Sequence, residues 1–307
     1  MNNYDLTIIA GPCSITPENT EEIINEIAPI TTPDGKRAIY GTRVVGLKSR
    51  TALVEGEGMG MDYEVVTQAL NLPEDKRGKL SLPSVKLAEK IAKETGLLIT
   101  AEIMIPHIQL PFYETEILHG NFLPWNPAVE QLGWNMLEIG AFAKRNKWSV
   151  GIKHGKFLGK DSLEKANHPE YKGETALEKV MIGLTTYVPK LEGELIVIHR
   201  GVDVQREGDS RNAIAHEIMK RVKPKMPHAQ IYFDPTHTIG PKLRHTIIPE
   251  TLAAMKLTVG DQFLYDGLLM EAGTSPTDTD EHVTIAELNN LVKELSEFRK
   301  LRPPKRK

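Results

Sequence analysis

Cys13 is the only cysteine in the chain, delivered by LTIIAGPCSI (6–15), where an apolar run meets a Gly-Pro turn. Taken alone, a lone cysteine is more often a small apolar side chain than a ligand. Three other groups could join it: His237 in FDPTHTIG, Glu271 closing FLYDGLLME, and an aspartate of TSPTDTDEH. Thiolate, imidazole and carboxylate together suit a borderline divalent cation such as Mn, Fe, Co or Zn better than Ca or Mg. These residues are dispersed, so spacing alone does not unite them. A second set is cationic: Arg43, Lys48, Arg50, Lys153, Lys156 and Arg200. VGLKSRT places Lys48 and Arg50 two apart, on one side of an extended segment. Like charges that close are unfavourable unless an anion lies between them. Several converging cations point to a substrate with more than one phosphate or carboxylate.

Such residues need elements to bring them together. Apolar, β-branched runs bounded by turn residues predict eight strands, at 6–10, 37–47, 97–103, 120–125, 148–153, 194–200, 229–234 and 263–271. Helix-period stretches alternate with them. One is SVKLAEKIAKETG, read with Ser84 as N-cap, Val85, Leu87, Ala88, Ile91 and Ala92 on the apolar side, and Gly96 as the stop. Alternation on this scale predicts a single-domain (β/α)8 barrel over residues 1–298, followed by a solvated basic tail, RKLRPPKRK (299–307). In such a barrel chemistry sits just beyond the C-terminal ends of the strands. That is where Cys13, Lys48, Arg50, Glu102, Lys153, His199, Arg200, His237 and Glu271 fall. Strand four offers only PWNPAVEQ, and the glycine-rich segment 55–79 reads as either a loop over the barrel mouth or a surface excursion.

Composition narrows the partners. With 40% hydrophobic and 26% charged residues the chain is an ordinary globular one. A net charge of −3 argues against a general nucleic-acid binder, which needs a basic surface. One cysteine makes no internal disulfide, and neither a signal-like apolar start nor a membrane-length apolar run is present, so a cytoplasmic location without a membrane partner is expected.

The motifs IAGPCSI, TRVVGLKSRT, TAEIM, GIKHGKFLG, IHRGV, FDPTHTIG and DGLLMEAGTSPTDTDEHVT stand in the order and spacing of the DAHP synthetase I/KdsA family. The chain resembles that family, which holds the 3-deoxy-arabino-heptulosonate 7-phosphate (DAHP) synthases and the 3-deoxy-manno-octulosonate 8-phosphate synthases, along nearly its whole length. The resemblance implies a barrel that condenses phosphoenolpyruvate with an aldose phosphate and works as a homo-oligomer. For a DAHP synthase this is the first step of the shikimate route to aromatic amino acids. It implies Cys13, His237, Glu271 and Asp280 as metal ligands, with Asp278 as the alternative to Asp280. Arg43, Lys48, Lys153 and Arg200 are implied for phosphoenolpyruvate, and Arg50 with Thr51 for the aldose phosphate. KSRT is similar to the K-P-R-T of DAHP synthases, with Ser49 for the proline, which favours erythrose 4-phosphate over arabinose 5-phosphate. One departure stands out: Val129 of WNPAV occupies the place of the family's phosphate-binding arginine. Losing such a contact removes about 1.5–3 kcal/mol, and Lys156 or Gln131 is the expected compensation.

The implied chemistry joins C3 of phosphoenolpyruvate to the aldehyde carbon, adds water at C2 and releases phosphate. Lys48, between the two anion sites, is the candidate proton donor, its pKa expected low in a cationic cluster. Glu102 is expected to orient water or Lys48, and His199 is the further acid/base candidate. Two rivals remain: an octulosonate-type synthase, and a barrel that has lost catalysis and serves as a binding or regulatory protein. Metal-independent octulosonate synthases carry asparagine at the Cys13 place, so Cys13→Asn is expected to abolish metal-dependent activity. An active, chelator-sensitive mutant would show that the cysteine only packs.

Overall fold

The structure is a computed structural model that describes residues 4–48, 58–128, 133–156, 161–203 and 210–305. Its eight barrel strands are β1 (Thr7–Gly11), β2 (Gly41–Arg43), β3 (Leu98–Glu102), β4 (Phe122–Trp125), β5 (Val150–Lys156), β6 (Leu195–Asp203), β7 (Gln230–Phe233) and β8 (Gly267–Glu271). Each pairs in parallel with its neighbours, and β1 closes on β8 with Gly11 opposite Glu271. The chain is therefore the expected (β/α)8 barrel. A hairpin of Thr258–Val259 and Gln262–Phe263 lies outside it. No helix among the described residues is long and apolar enough to cross a membrane.

The strands read as continuous apolar runs because both of their faces are buried. Side chains alternate between faces. Ile9, Leu98, Leu123, Trp125, Ile196, Ile198, Tyr232 and Leu269 form an inner core with Tyr40 and Val45. Their neighbours, among them Ile8, Ala10, Ile99, Val197, Ile231, Phe233 and Leu268, pack outward against the helices. The helix predicted after Ser84 runs Pro83–Thr95 and ends, as expected, at Gly96 in the left-handed region (φ 69°). Ser84 does not cap it. Leu82 is the N-cap and Pro83 opens the helix, while the buried Ser84 hydroxyl and backbone N–H both donate to Asp62.

The basic C-terminal segment is docked rather than solvated as far as Lys305. The buried Arg299 donates to Asp5 Oδ1 (2.7 Å) and to the carbonyls of Met255 and Tyr265 (2.9 and 3.0 Å). Arg302 closes the N-terminal end of the barrel, with its guanidinium 4.0 Å from the centre of the Tyr40 ring and 2.8 Å from both carboxylate oxygens of Glu194. Arginine suits this position because its plane stacks while its edge pairs.

Strand parity also corrects one catalytic candidate. In β6 the residues Ile196, Ile198 and Arg200 face the barrel axis, so His199 faces the helices. Its ring lies 5.8 Å from Phe233 and 6.3 Å from Tyr265, both in the outer layer, and it sits opposite His154 of β5. His199 thus takes no part in the barrel mouth. Burial pushes its pKa down to about 3, with His216 adding to the shift. Burial likewise holds His154 and His216 near about 4, aided by Arg200 and Lys220 respectively.

In the unfolded chain all three histidines take up protons near the ordinary value of 6.5, whereas in the fold they stay neutral. Their contribution to stability is therefore complete above that pH and lost as pH falls from there toward about 4, by up to about 1.4 kcal/mol per pH unit for each group. Urea midpoints at about pH 7.5 and about pH 5 should fall accordingly. His199→Phe should flatten that fall, and an unchanged pH dependence in the variant would contradict the assignment.

Candidate active site

Inward parity continues past the apolar layers to the C-terminal rim. There Arg43, Glu102, Trp125 and Glu271 end their strands, Lys153 and Arg200 lie three residues before the ends of β5 and β6, and Asp234 follows β7 directly. Arg43, Lys153, Asp234 and Glu271 are all at least 97% buried, so each charge needs a partner. Arg43 Nη2 lies 2.9 Å from Glu271 Oε1, and Lys153 Nζ 3.0 Å from Asp234 Oδ2. The Trp125 indole floors the site between the two cations, 5.9 Å from the Arg43 guanidinium and 6.0 Å from Lys153 Nζ, a favourable face for positive charge. Asn126 fixes the strand that carries Lys153. Its amide accepts from the Lys153 N–H and donates to the Lys153 carbonyl, both at 2.9 Å. Gly155 makes room for Arg200, since a Cβ there would stand 2.4 Å from Arg200 Nη1.

Arg43 is not exhausted by its ion pair. Its Nε and Nη1 are buried without a hydrogen-bond partner, two donor nitrogens that an anion beside them would satisfy. Burial opposes its charge, but Glu271 and then Cys13, Asp234 and Glu102 outweigh that and raise its pKa.

Beside this ring lie the donor atoms of the first set. Cys13 is fully buried; its sulfur accepts from Lys48 Nζ at 2.6 Å, and its thiol donates to Asp278 Oδ2 at 3.2 Å. Burial and the Glu271 charge push the thiol well above its ordinary pKa, against the opposing pull of Lys48 and Arg43. A bound cation would shift it the other way, because thiols ionise on coordination. The His237 ring presents Nδ1 to Asp234 (2.9 Å to Oδ2) and Nε2 toward Glu271 Oε1 (3.5 Å). Asp234 also caps the short helix Pro235–Ile239 through the His237 N–H (3.2 Å), so one carboxylate sets both backbone and ring. A carboxylate on the far nitrogen of an imidazole is the usual support of a metal-binding histidine. Glu271 is held well below the usual carboxylate range: burial opposes its charge, but His237, Arg43 and His282 together prevail.

These residues fit a divalent metal. One donor atom each from Cys13, Glu271 and His282 lie within 4.8 Å of one another, and the same holds for His237, Glu271 and Glu281. Tetrahedral coordination with bonds of about 2.0–2.3 Å spaces donors about 3.3–3.8 Å apart. Both Glu271 carboxylate oxygens and His282 Nε2 are buried without a hydrogen bond, the 2.9 Å Arg43 contact being an ion pair that lacks hydrogen-bond geometry. Each such orphan costs about 1–3 kcal/mol, a cost that coordination would remove.

Two expectations need correction. Asp280 is solvent-exposed, and Asp278 is the aspartate that reaches Cys13. Thr279–Glu281 is a single turn of 3-10 helix, in which side chains three apart share a side. Asp278 and Glu281 therefore face inward and Asp280 outward. Lys48 does not have a low pKa either. Burial lowers it, but Cys13, Glu271 and Glu102 raise it on balance, so it stays an ammonium.

Glu102 joins the ring as expected and acts on Arg43, Lys48 and Arg200 through its charge. Ser49, Arg50, Thr51, Val129 and Gln131 lie outside the described residues, and Lys156 ends β5. The described part of the 55–79 segment folds against the exit of β2: Lys48 N–H donates to Met59 O (3.0 Å) and Asp62 N–H to Gly46 O (2.9 Å). Sequence reasoning missed Asp234 and His282. Asp234 had a signal, since an Asp-Pro start three residues before His237 is a helix-capping pattern. Arg211 was missed too; it pairs with Glu281 and lies 3.7 Å from Asp278. Burial and Glu271 raise the Glu281 pKa to about 8.

No protein-family model matches the chain, and no curated protein matches it. Among solved structures, phospho-2-dehydro-3-deoxyheptonate aldolase (DAHP synthase) from Thermotoga maritima superposes with a TM-score of 0.61, covering 95% of this chain and 69% of that one at 17% identity. At that identity the likeness carries the fold.

If Asp234 orients His237 toward a metal, Asp234→Asn should weaken Mn or Zn affinity by about 10–100-fold in competition with a chelating dye. Unchanged affinity would remove Asp234 from the metal's support.

Proposed function

We propose that the protein is a metal-dependent synthase that condenses phosphoenolpyruvate with an aldose phosphate, erythrose 4-phosphate in preference to arabinose 5-phosphate, giving DAHP and phosphate. The observation that carries the reading is Arg43. It is a buried guanidinium with two unpartnered nitrogens, paired with Glu271 of the Cys/His/Glu cluster on the rim that also carries Lys153 and Arg200. The strand-end motifs and the likeness in fold to a DAHP synthase support it.

In this reading Arg43, Lys153 and Arg200 grip the carboxylate and phosphate of phosphoenolpyruvate, while Arg50 and Thr51 hold the phosphate of the aldose. Neutralising these groups lets two anions approach each other, and desolvation by the Trp125 floor strengthens each contact. Lys48 stands at the junction of the two anion sites as a charged hydrogen-bond donor that steadies the aldehyde oxygen as it becomes negative. Glu102, facing the same ring, accepts a hydrogen bond from the water that adds at C2. Cys13, His237 and Glu271 hold the divalent cation, with a fourth donor from segment 278–282. That cation supplies Lewis-acid polarisation of the aldehyde or activation of water.

Phosphate release from phosphoenolpyruvate is expected to require erythrose 4-phosphate, to cease with chelator and to return with Mn. Arg43→Met should lower kcat/KM for phosphoenolpyruvate by about 10- to 100-fold. Preference for arabinose 5-phosphate would move the protein to the octulosonate-type reaction. Absence of phosphoenolpyruvate binding in calorimetry with Mn would favour a barrel without catalysis.

A further inference from the structure

We infer that His282 completes the metal site, so that the donors are Cys13, His237, Glu271 and His282 and no aspartate is among them. This deepens the proposed function and rests on its metal dependence, not on the identity of the aldose.

Main-chain geometry brings His282 to the cluster. The chain leaves β8 after Glu271 and returns at Val283, whose N–H donates to Glu271 O (3.1 Å), while Gly273 N–H donates to Val283 O (3.0 Å). Ala272 and Val283 form a parallel bridge. The excursion is thus closed at its neck, with His282 held directly beside Glu271.

The ring is oriented as a ligand would be. Its Nδ1 lies 2.9 Å from the Gly273 carbonyl, an acceptor only, so Nδ1 carries the proton and Nε2 keeps its lone pair. Nε2 is buried, has no hydrogen-bond partner, and points at Glu271 Oε2 at 4.0 Å. A backbone carbonyl on one imidazole nitrogen and a metal on the other is a common pairing. The residue is 4% exposed, so water does not satisfy it from bulk.

Asp278 is differently employed. One of its oxygens takes the Cys13 thiol at 3.2 Å and lies 3.8 Å from Lys48 Nζ, and the other lies 3.7 Å from Arg211. It belongs to neither cluster of three converging donors among the described residues. Its place is to neutralise Lys48 and Arg211 at the edge of the site. With one thiolate, one carboxylate and two neutral imidazoles, the ligand charge equals that of a divalent cation. Such a set favours Zn, Co or Fe over Mg.

Co(II) titration of the full chain, without substrate, tests this by dialysis with elemental analysis and by absorption. Wild type is expected to bind one equivalent with a thiolate-to-cobalt band. His282→Gly should bind about 10–100-fold more weakly with shifted d–d bands, and exogenous imidazole should restore the wild-type spectrum, which a merely structural histidine would not allow. Asp278→Asn removes a carboxylate that touches Cys13 from outside the coordination sphere, so it should weaken cobalt by no more than about 10–100-fold and keep the wild-type d–d bands. Loss of cobalt in Asp278→Asn with retention in His282→Gly, or no cobalt bound by wild type, overturns the inference. A His282-dependent cobalt site in a protein that releases no phosphate with any aldose phosphate would instead sink the condensation reading alone.

Discussion

The Glu271 carboxylate is the constraint on which the site depends. It ends β8 on the barrel axis, fully buried, and its charge survives only because cationic and imidazole groups surround it. Arg43 comes from β2, two strands away around the closed barrel, and His237 from beyond β7 on the other side. His282 returns to it through a closed loop, and Cys13 rises from β1, whose last residue pairs with Glu271 itself. A buried anion of this kind draws together groups that are nearly the whole chain apart. Without closure of β1 on β8 the cluster would have no centre.

Around that centre the charges are arranged as buried pairs with deliberate gaps. Lys153 pairs with Asp234, and Asp234 also holds His237, so the cationic ring and the Cys/His/Glu cluster share one carboxylate. Arg43 touches Glu271 through one nitrogen and leaves two others unmatched. Buried polar groups in a stable protein are normally satisfied. Among the described residues, atoms of Arg43, Trp125, Arg200, Asp234, Glu271, Glu281 and His282 without a hydrogen-bond partner gather at the C-terminal end of the barrel, where a ligand would satisfy them. At the opposite end Arg299 and Arg302 are held by Asp5, Glu194 and main-chain carbonyls, which stabilises the closure of the barrel floor.

How much of this was legible depends on the kind of signal. All eight strands could be read because parallel strands buried on both faces are apolar throughout; the strand-end rule then gathered Cys13, Lys48, Glu102, Lys153, Arg200, His237 and Glu271, while Arg43 was singled out as one of a set of cations. His199 was misread because a position one residue before Arg200 looks equally near the rim, although strand alternation turns it to the helices. Asp280 was misread because three acidic residues stand within four positions of one another, and only the turn geometry tells which face inward. Lys48 looked cationic in its neighbourhood along the chain, while in space its neighbours are mainly anions.

By itself the sequence determined the barrel, the order of its strands and the residue types at their C-terminal ends, since two-residue alternation and apolar runs are local properties. Tertiary structure alone decided which of those residues meet. Ring closure sets Arg43 on Glu271, the neck at Glu271 and Val283 carries His282 inward, and a helix cap three residues upstream aims His237. Those contacts span up to some 270 positions along the chain, from Cys13 to Asp278 and His282. The physical reason is that a buried charge or lone pair is satisfied by whatever the fold brings near it, and nothing in local sequence encodes that proximity.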